Sequence, residues 1–221
     1  MQSQQSAHYA VTLKKGAAAL NFPLDEEKIA LFIDYLMLFI KWNAHYNLSA
    51  IREPSAMLSK HLLDSLSIAS FIEDSNKKRF IDVGTGGGLP GIPMAFCFPD
   101  KHFTLLDSAG KKTRFLFQVK QSLSLDNVSI ENSRVEQFQA DNRDANLLYD
   151  VVLSRAFSSL SQMTTGCAHL IAPGGEFWAM KGVYPKHELS DIEKHYKVLD
   201  CYKLQVPGNI GERCLVKIKP F

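Results

Sequence analysis

One stretch constrains this chain more than any other: Phe80-Ile81-Asp82-Val83-Gly84-Thr85-Gly86-Gly87-Gly88-Leu89-Pro90-Gly91-Ile92-Pro93. An apolar strand carrying one acid runs into a glycine-rich turn, then into a proline that can open a helix. Glycine reaches positive φ and lets backbone approach a ligand with no side chain between. Such a turn between strand and helix is a nucleotide-binding device.

Two ligands compete for it. Gly86, Gly88 and Gly91 satisfy G-x-G-x-x-G, the dinucleotide pattern. Asp82 argues against a dinucleotide, because a carboxylate two residues before Gly84 would repel a pyrophosphate. S-adenosylmethionine has no phosphate and carries a sulfonium and an ammonium, so an acid suits it. D-x-G-x-G-x-G resembles the first motif of class I methyltransferases.

The 221 residues make one large domain, or one domain with an accessory segment. No apolar run approaches the ~20 residues of a membrane span. The polar start, Met1 to Ser6, does not resemble a signal peptide. Cys97, Cys167, Cys201 and Cys214 show no C-x-x-C spacing and read as reduced residues, most in apolar segments. A cytoplasmic, metal-free protein is expected. A net charge of +2 permits a nucleic-acid partner without demanding one. Lys77-Lys78-Arg79, then Lys111, Lys112 and Arg114, then Lys217 and Lys219 form basic clusters, which solvent alone could also explain.

Residues 1–75 read as a helical N-terminal extension and residues 76–221 as the ligand-binding domain. From Asp25, Ile29, Phe32, Ile33, Leu36, Phe39 and Ile40 recur at helical spacing. A second helix is expected to start near Pro54 and to turn Met57, Leu58, Leu62, Leu66 and Ala69 inward. The connector, residues 41–52, is richer in aromatic and amide side chains than a plain link needs. Strands are predicted at 79–83, 102–106, 128–131, 149–153, 176–180, 198–204 and 213–219, with helices near 90–98, 111–123, 158–171 and 185–195. This alternation implies a mostly parallel sheet covered on both faces. Pro207-Gly208-Asn209-Ile210-Gly211 joins the last two strands without a helix, which makes them an antiparallel edge pair. Seven strands closing in a hairpin is the methyltransferase version of a Rossmann-like sheet.

Ligands bind beyond the carboxyl ends of such strands. After the second strand, Asp107 stands where an acid would hold a ribose diol, or would cap the next helix. After the third, Val135 can pack on an adenine face and Glu136 can reach its polar edge, although an ordinary loop has the same spacing. After the fourth, an Asn/Asp-Pro-Pro-aromatic tetrapeptide typical of amino-methylating enzymes is absent, and Arg155 takes its place. Arg155 can bind a carboxylate, bind an RNA phosphate, or form a structural ion pair. Lys111, Lys112 and Arg114 oppose the dipole at a helix start, which suggests an RNA backbone as partner or tolerance by solvent.

Together these pieces resemble the bacterial 16S rRNA guanine-N7 methyltransferases of the small subunit, once called glucose-inhibited division protein B. The resemblance rests on Lys41-Trp42-Asn43, Tyr46-Asn47-Leu48, His61-Leu62-Leu63-Asp64-Ser65 and the glycine-rich turn. It continues through Leu105-Leu106-Asp107-Ser108, Lys111-Lys112, Arg114-Phe115-Leu116, Ser133-Arg134-Val135-Glu136 and Ser154-Arg155-Ala156-Phe157. Lys181-Gly182 and Gly211-Glu212-Arg213 complete it, over about residues 20–219. Gly87 departs from the pattern, where many members have proline, and is expected to loosen the turn.

The resemblance implies a class I S-adenosylmethionine-dependent methyltransferase with a helical N-terminal extension. It implies cofactor contacts at Gly84, Leu89, Val135, Glu136 and Arg155. Gly86 and Asp107 are added from the residues themselves. The implied substrate is a guanine in the decoding-region loop of 16S rRNA, free or in the small subunit, with the enzyme acting as a monomer away from membranes. Guanine N7 carries a lone pair and no proton, so no catalytic acid or base is assigned. Trp42, Tyr46 or Phe157 could stack on the base. Rival readings are a methyltransferase for small molecules or proteins, with the N-terminal segment as lid, and a non-catalytic nucleotide-binding module.

Overall fold

The computed structural model describes residues 2–139, 148–192, 194–208 and 211–221. Seven strands form one sheet in the order β3-β2-β1-β4-β5-β7-β6. They are β1 (Arg79–Val83), β2 (His102–Leu106), β3 (Val128–Glu131), β4 (Tyr149–Ser154), β5 (Ile171–Lys181), β6 (Tyr196–Lys203) and β7 (Cys214–Pro220). The first five pair in parallel, and β7 runs antiparallel between β5 and β6. The expected edge hairpin is present; Asn209 and Ile210 of its link lie outside the described residues.

Successive strand residues face opposite sides of a sheet. Phe80, Leu105, Val151 and Leu153 accordingly enter one hydrophobic cluster, and Ile81, Leu106 and Val152 the other. Both faces are covered, which is why these strands read as unbroken apolar runs. Helices α8 (Leu160–Cys167) and α9 (Lys186–Ile192) cover the second face. The first face lies under α6 (Gly91–Cys97), α7 (Gly110–Ser122) and the N-terminal helices, from Tyr9 and Leu13 of α1 (Gln2–Ala19) to Ile72 of α5 (Ala69–Glu73).

Helix α2 (Glu26–Tyr46) has the boundaries its caps dictate. The Asp25 carboxylate accepts the Lys28 N–H at 2.7 Å, and Asn47 closes the helix in the left-handed region at φ 51°. Phe32 meets Phe96 of α6 edge-on at 5.2 Å, and Phe39 meets Phe115 of α7 at 5.6 Å.

The segment beginning at Pro54 differs from a plain helix. It opens as α3 (Pro54–Met57), capped by Glu53, continues as a π-helical stretch (Leu58–Leu63) and returns to α form in α4 (Asp64–Leu66). A π turn is widened by one residue and rotates the following side chains. Every residue from His61 to Ala69 is buried, including Asp64 at 1% exposure, which a one-faced surface helix would not allow. Strand β5 begins five residues before its predicted start, and the register with β4 shifts between Tyr149 and Val151. No helix of the described residues is long and apolar enough to cross a membrane.

Candidate functional site

At the carboxyl end of β1 the chain turns through Gly84, Gly86 and Gly88, at φ 69°, 63° and 93°. A Cβ at Gly84 would lie 2.7 Å from that of Ala156, so any side chain there collides with the loop after β4. At Gly86 it would meet nothing within 4 Å, because that Cα faces open space. Asp82 lies beneath the turn, where its Oδ2 accepts the Thr85 hydroxyl at 2.7 Å and the Gly91 N–H at 2.9 Å. Burial raises its pKa to about 6, against the lowering effect of those two hydrogen bonds. Oδ1 has no hydrogen-bond partner among the described residues. The acid thus occupies the start of α6, where a pyrophosphate would otherwise dock.

Two cavities flank the turn and share Gly84 and Ala156. The first, about 340 Å³, lies beyond β2 and β3 and is lined by Gly84, Asp107, Val135, Glu136 and Phe157 among others. The Asp107 carboxylate accepts the Gly86 N–H and the Ala109 N–H, each at 2.9 Å, and Lys112 stands 3.4 Å from it. Asp107 thus lines the cavity and orders the approach to α7 without capping it, because the helix opens at Ala109 with no side-chain cap. Asn132, to which the sequence reading gave no role, fastens this corner by donating to the Asp107 carbonyl at 2.9 Å.

The second cavity, about 170 Å³, is lined by Phe39, Leu48, Ser49, His61, Gly84 to Gly87, Leu89 and Arg155. Its roof comes from the N-terminal segment. The buried Asn43 amide donates to the Ile51 carbonyl at 2.9 Å and accepts the Ser49 N–H at 2.7 Å. That bracket holds Ser49, whose hydroxyl meets His61 Nε2 at 2.9 Å. Burial first, and the Arg155 charge second, push the His61 pKa down to about 4.

Arg155 reaches this cavity while its Nη1 donates to Asp64 at 2.6 Å. Arg213, just before β7, holds the same carboxylate through Nε at 2.5 Å and Nη2 at 2.7 Å. Two guanidiniums thus share one carboxylate, which leaves a unit of positive charge at the mouth. Asp64, His61 and Arg213 were singled out by no spacing rule. The ion-pair reading of Arg155 is realised without removing it from the cavity.

The other expectations divide. Gly84, Gly86, Leu89, Asp107, Val135, Glu136 and Arg155 all surround the two cavities. Phe157 lines the first, whereas Trp42 packs on Phe115 at 5.7 Å and meets the exposed Tyr46 at 4.9 Å with the rings tilted by 33°. Arg114 lies one residue beyond the first turn of α7, and Lys112 is paired with Asp107. Lys78 pairs with Asp100, and Lys217 sits 4.1 Å above the Trp178 ring. Gly87 does not loosen the turn. Its carbonyl accepts the Tyr35 hydroxyl at 2.6 Å, and a Cβ there would lie 2.3 Å from Phe39. A larger cavity, about 660 Å³, lies among Phe22, Lys28, Asp100 and Lys101, remote from the glycine turn.

The family model for rRNA small subunit methyltransferase G matches residues 28–216. The ribosomal RNA small subunit methyltransferase G of Saccharophagus degradans is 55% identical over 98% of this chain and 93% of that protein. The corresponding protein of Cellvibrio japonicus is 50% identical over 94% of each. Among solved structures, magnesium protoporphyrin IX methyltransferase from Synechocystis, with bound SAM, superposes with a TM-score of 0.61 at 14% identity. That match covers 90% of this chain and 98% of that one.

Proposed function

The chain belongs to the rRNA small subunit methyltransferase G family, and from that membership we propose that it methylates N7 of one guanine in the decoding-region loop of 16S rRNA. The methyl donor is S-adenosylmethionine, which supplies an electrophilic methyl group on a sulfonium. The observation that carries this reading is the pair of cavities meeting at Gly84 and Ala156, with Asp107 at the end of β2 lining one and Arg155 after β4 lining the other. An elongated ligand with an adenosine at one end and an amino-acid carboxylate at the other fits that arrangement.

In this arrangement Asp107 accepts from the ribose hydroxyls, and Val135 and Glu136 border the base. Gly84, Gly86 and Leu89 form the floor. Arg155 faces the carboxylate, and the surplus charge at Asp64 favours an anion there. Asp82, already holding Thr85 and Gly91, keeps the turn in shape.

Guanine N7 presents an in-plane lone pair and no proton, so attack on the methyl carbon needs no base. His61, with its pKa near 4, is neutral at physiological pH and suits a wall better than a proton donor. Alignment then supplies the acceleration, and orientation alone can lower a barrier by several kcal/mol. N7 lies in the deep, narrow major groove of A-form RNA, so the base has to be splayed out of its stack. Residues 76–221 act as the cofactor-binding domain, and residues 1–75 as a helical extension that roofs the second cavity and faces the substrate. The enzyme works as a monomer in the cytoplasm.

The test is transfer of labelled methyl to unmodified 16S rRNA and to small subunits, with the product mapped by cleavage specific for 7-methylguanine. Label at a single guanine establishes the reading. Label at an exocyclic amine, a ribose or no RNA position overturns it.

A further inference from the structure

Strand β5 ends at Lys181, on the edge of the sheet that carries the glycine turn, and the chain then makes a tight turn into α9. Val183 and Tyr184 at this turn are 69% and 55% exposed, among the most exposed large apolar side chains described. The turn that presents them is fixed. Lys186 N–H donates to the Tyr184 carbonyl at 3.0 Å, Pro185 is buried, and Cys214 Sγ donates to the Val183 carbonyl at 3.7 Å. Lys181 braces the base of the turn against Glu188 at 2.9 Å and the Ser158 carbonyl at 3.1 Å. A tyrosine on a fixed backbone turn has only its own two side-chain torsions to order when it stacks on a partner.

Beside Tyr184 lies a notch of about 120 Å³ lined by Gly182, Cys201, Lys203, Glu212, Arg213 and Cys214. Arg213 reaches from this notch to Asp64, which also holds Arg155 of the cofactor cavity. The two mouths are therefore one carboxylate apart. The notch combines an aromatic face, an exposed lysine and an arginine that shares its counter-charge, opposed by the exposed Glu212. An aromatic face beside exposed cationic side chains is the chemistry that holds an unpaired nucleotide, base on ring and phosphate on cation; the exposed Lys203 is the cation the cofactor cavity does not use.

We infer that Tyr184 is a stacking platform for an unpaired RNA base next to the target guanine, with Lys203 and Arg213 facing that nucleotide's phosphate. The inference rests on the RNA substrate proposed above and adds where the neighbouring nucleotide lies. Tyr184 positions the strand and touches neither cofactor nor reacting atoms. The glycine turn holds the cofactor, and the Tyr184 turn fixes the register of the RNA that reaches it.

The experiment compares Tyr184→Ala, Tyr184→Phe and Lys203→Gln with the wild type, measuring RNA binding, cofactor binding and steady-state methylation of 16S rRNA and small subunits. Loss of the ring weakens RNA binding and raises KM for RNA about tenfold, as expected for one stacked base. Cofactor affinity and the salt dependence of RNA binding stay unchanged in that variant. Tyr184→Phe restores the wild-type values, because it keeps the ring. Lys203→Gln lowers the salt slope by about 0.7, the share of one phosphate on a single strand. Unaltered RNA affinity and KM in Tyr184→Ala, with the wild type methylating rRNA, overturn the platform and leave the RNA reaction standing. A defect on small subunits with none on protein-free rRNA also overturns it, because the turn then meets a ribosomal protein. A wild type that neither binds nor methylates RNA removes both proposals at once.

Discussion

The Tyr35 hydroxyl, fully buried on α2, donates a 2.6 Å hydrogen bond to the carbonyl of Gly87 in the glycine turn. An N-terminal helix thereby fixes the backbone of a loop 52 residues further along the chain. Burial drives the Tyr35 pKa far above its ordinary value, so the group stays a neutral donor at every working pH. Replacing Tyr35 with Phe leaves the Gly87 carbonyl buried without its donor, a cost of roughly 1–3 kcal/mol. The expected outcome is a lower urea midpoint and weaker S-adenosylmethionine binding by calorimetry. A variant with wild-type cofactor affinity would separate this hydrogen bond from the shape of the turn.

Asp64 is the sole carboxylate held by both Arg155 and Arg213 among the described residues. Asp64→Ala strands two cations in a largely enclosed site. Breaking a buried pair from one side costs about 3–5 kcal/mol, more than the loss of either arginine's own contacts at the rim. Chemical denaturation should rank Asp64→Ala well below Arg213→Gln, because the latter leaves Asp64 still paired with Arg155. Equal destabilisation would show that Asp64 is not the centre of the cluster.

The buried Asp82 and His61 act on stability in opposite directions over the same pH range. The folded pKa of Asp82 is raised to about 6, so the folded state takes up its proton first as pH falls. Stability from this group is full below the unfolded value near 4 and is lost as pH rises through 6. The folded pKa of His61 is lowered to about 4, so here the unfolded chain takes up the proton first. Stability from His61 is full above about 6.5 and is lost as pH falls towards 4. Each effect is on the order of 3 kcal/mol, and the two largely cancel across that window. His61→Gln should therefore gain stability on moving from pH 6.5 to 4.5, and Asp82→Asn should lose it. Thermal melts of both variants across the window decide the matter, and parallel profiles would refute the assignment.

How far the sequence anticipates this structure depends on where each signal resides. Strands β1, β2 and β3 have their predicted limits, because apolar runs end at turn residues that sit beside them in the chain. The cavity linings at Gly84, Asp107 and Val135 follow from the same local order of strand, turn and helix. Asp64 and Arg213 stand 149 residues apart, and no local spacing records that they meet. The surplus of amides near Asn43 was visible, yet its use as a bracket for Ser49 depends on the path of residues 47–51. The start of β5 at Ala172-Pro173-Gly174-Gly175 was hidden because proline and glycine break most strands, and here they sit where the register slips. Gly87 misled for a related reason: glycine suggests freedom, whereas here it makes room for the Phe39 ring.

The cations of α7 can now be sorted by what already holds them. Lys112 stands 3.4 Å from Asp107, with less than a third of its side chain exposed, so it belongs to the Asp107 corner of the first cavity. Lys111 and Arg114 are exposed, a helical step apart, on a helix that also exposes Phe117. If RNA crosses this face, only the exposed two meet its phosphates. The double variant Lys111→Gln/Arg114→Gln should weaken RNA binding and reduce the slope of log K against log salt by roughly 1.4, two phosphates on a single strand. Lys112→Gln alone should instead weaken cofactor binding and leave that slope intact. Binding titrations between 50 and 200 mM salt, about the span over which counterion release is large, read both effects. If Lys112→Gln flattened the slope as much as the pair, the lysine would leave Asp107 when RNA arrives, and the corner would open on substrate binding.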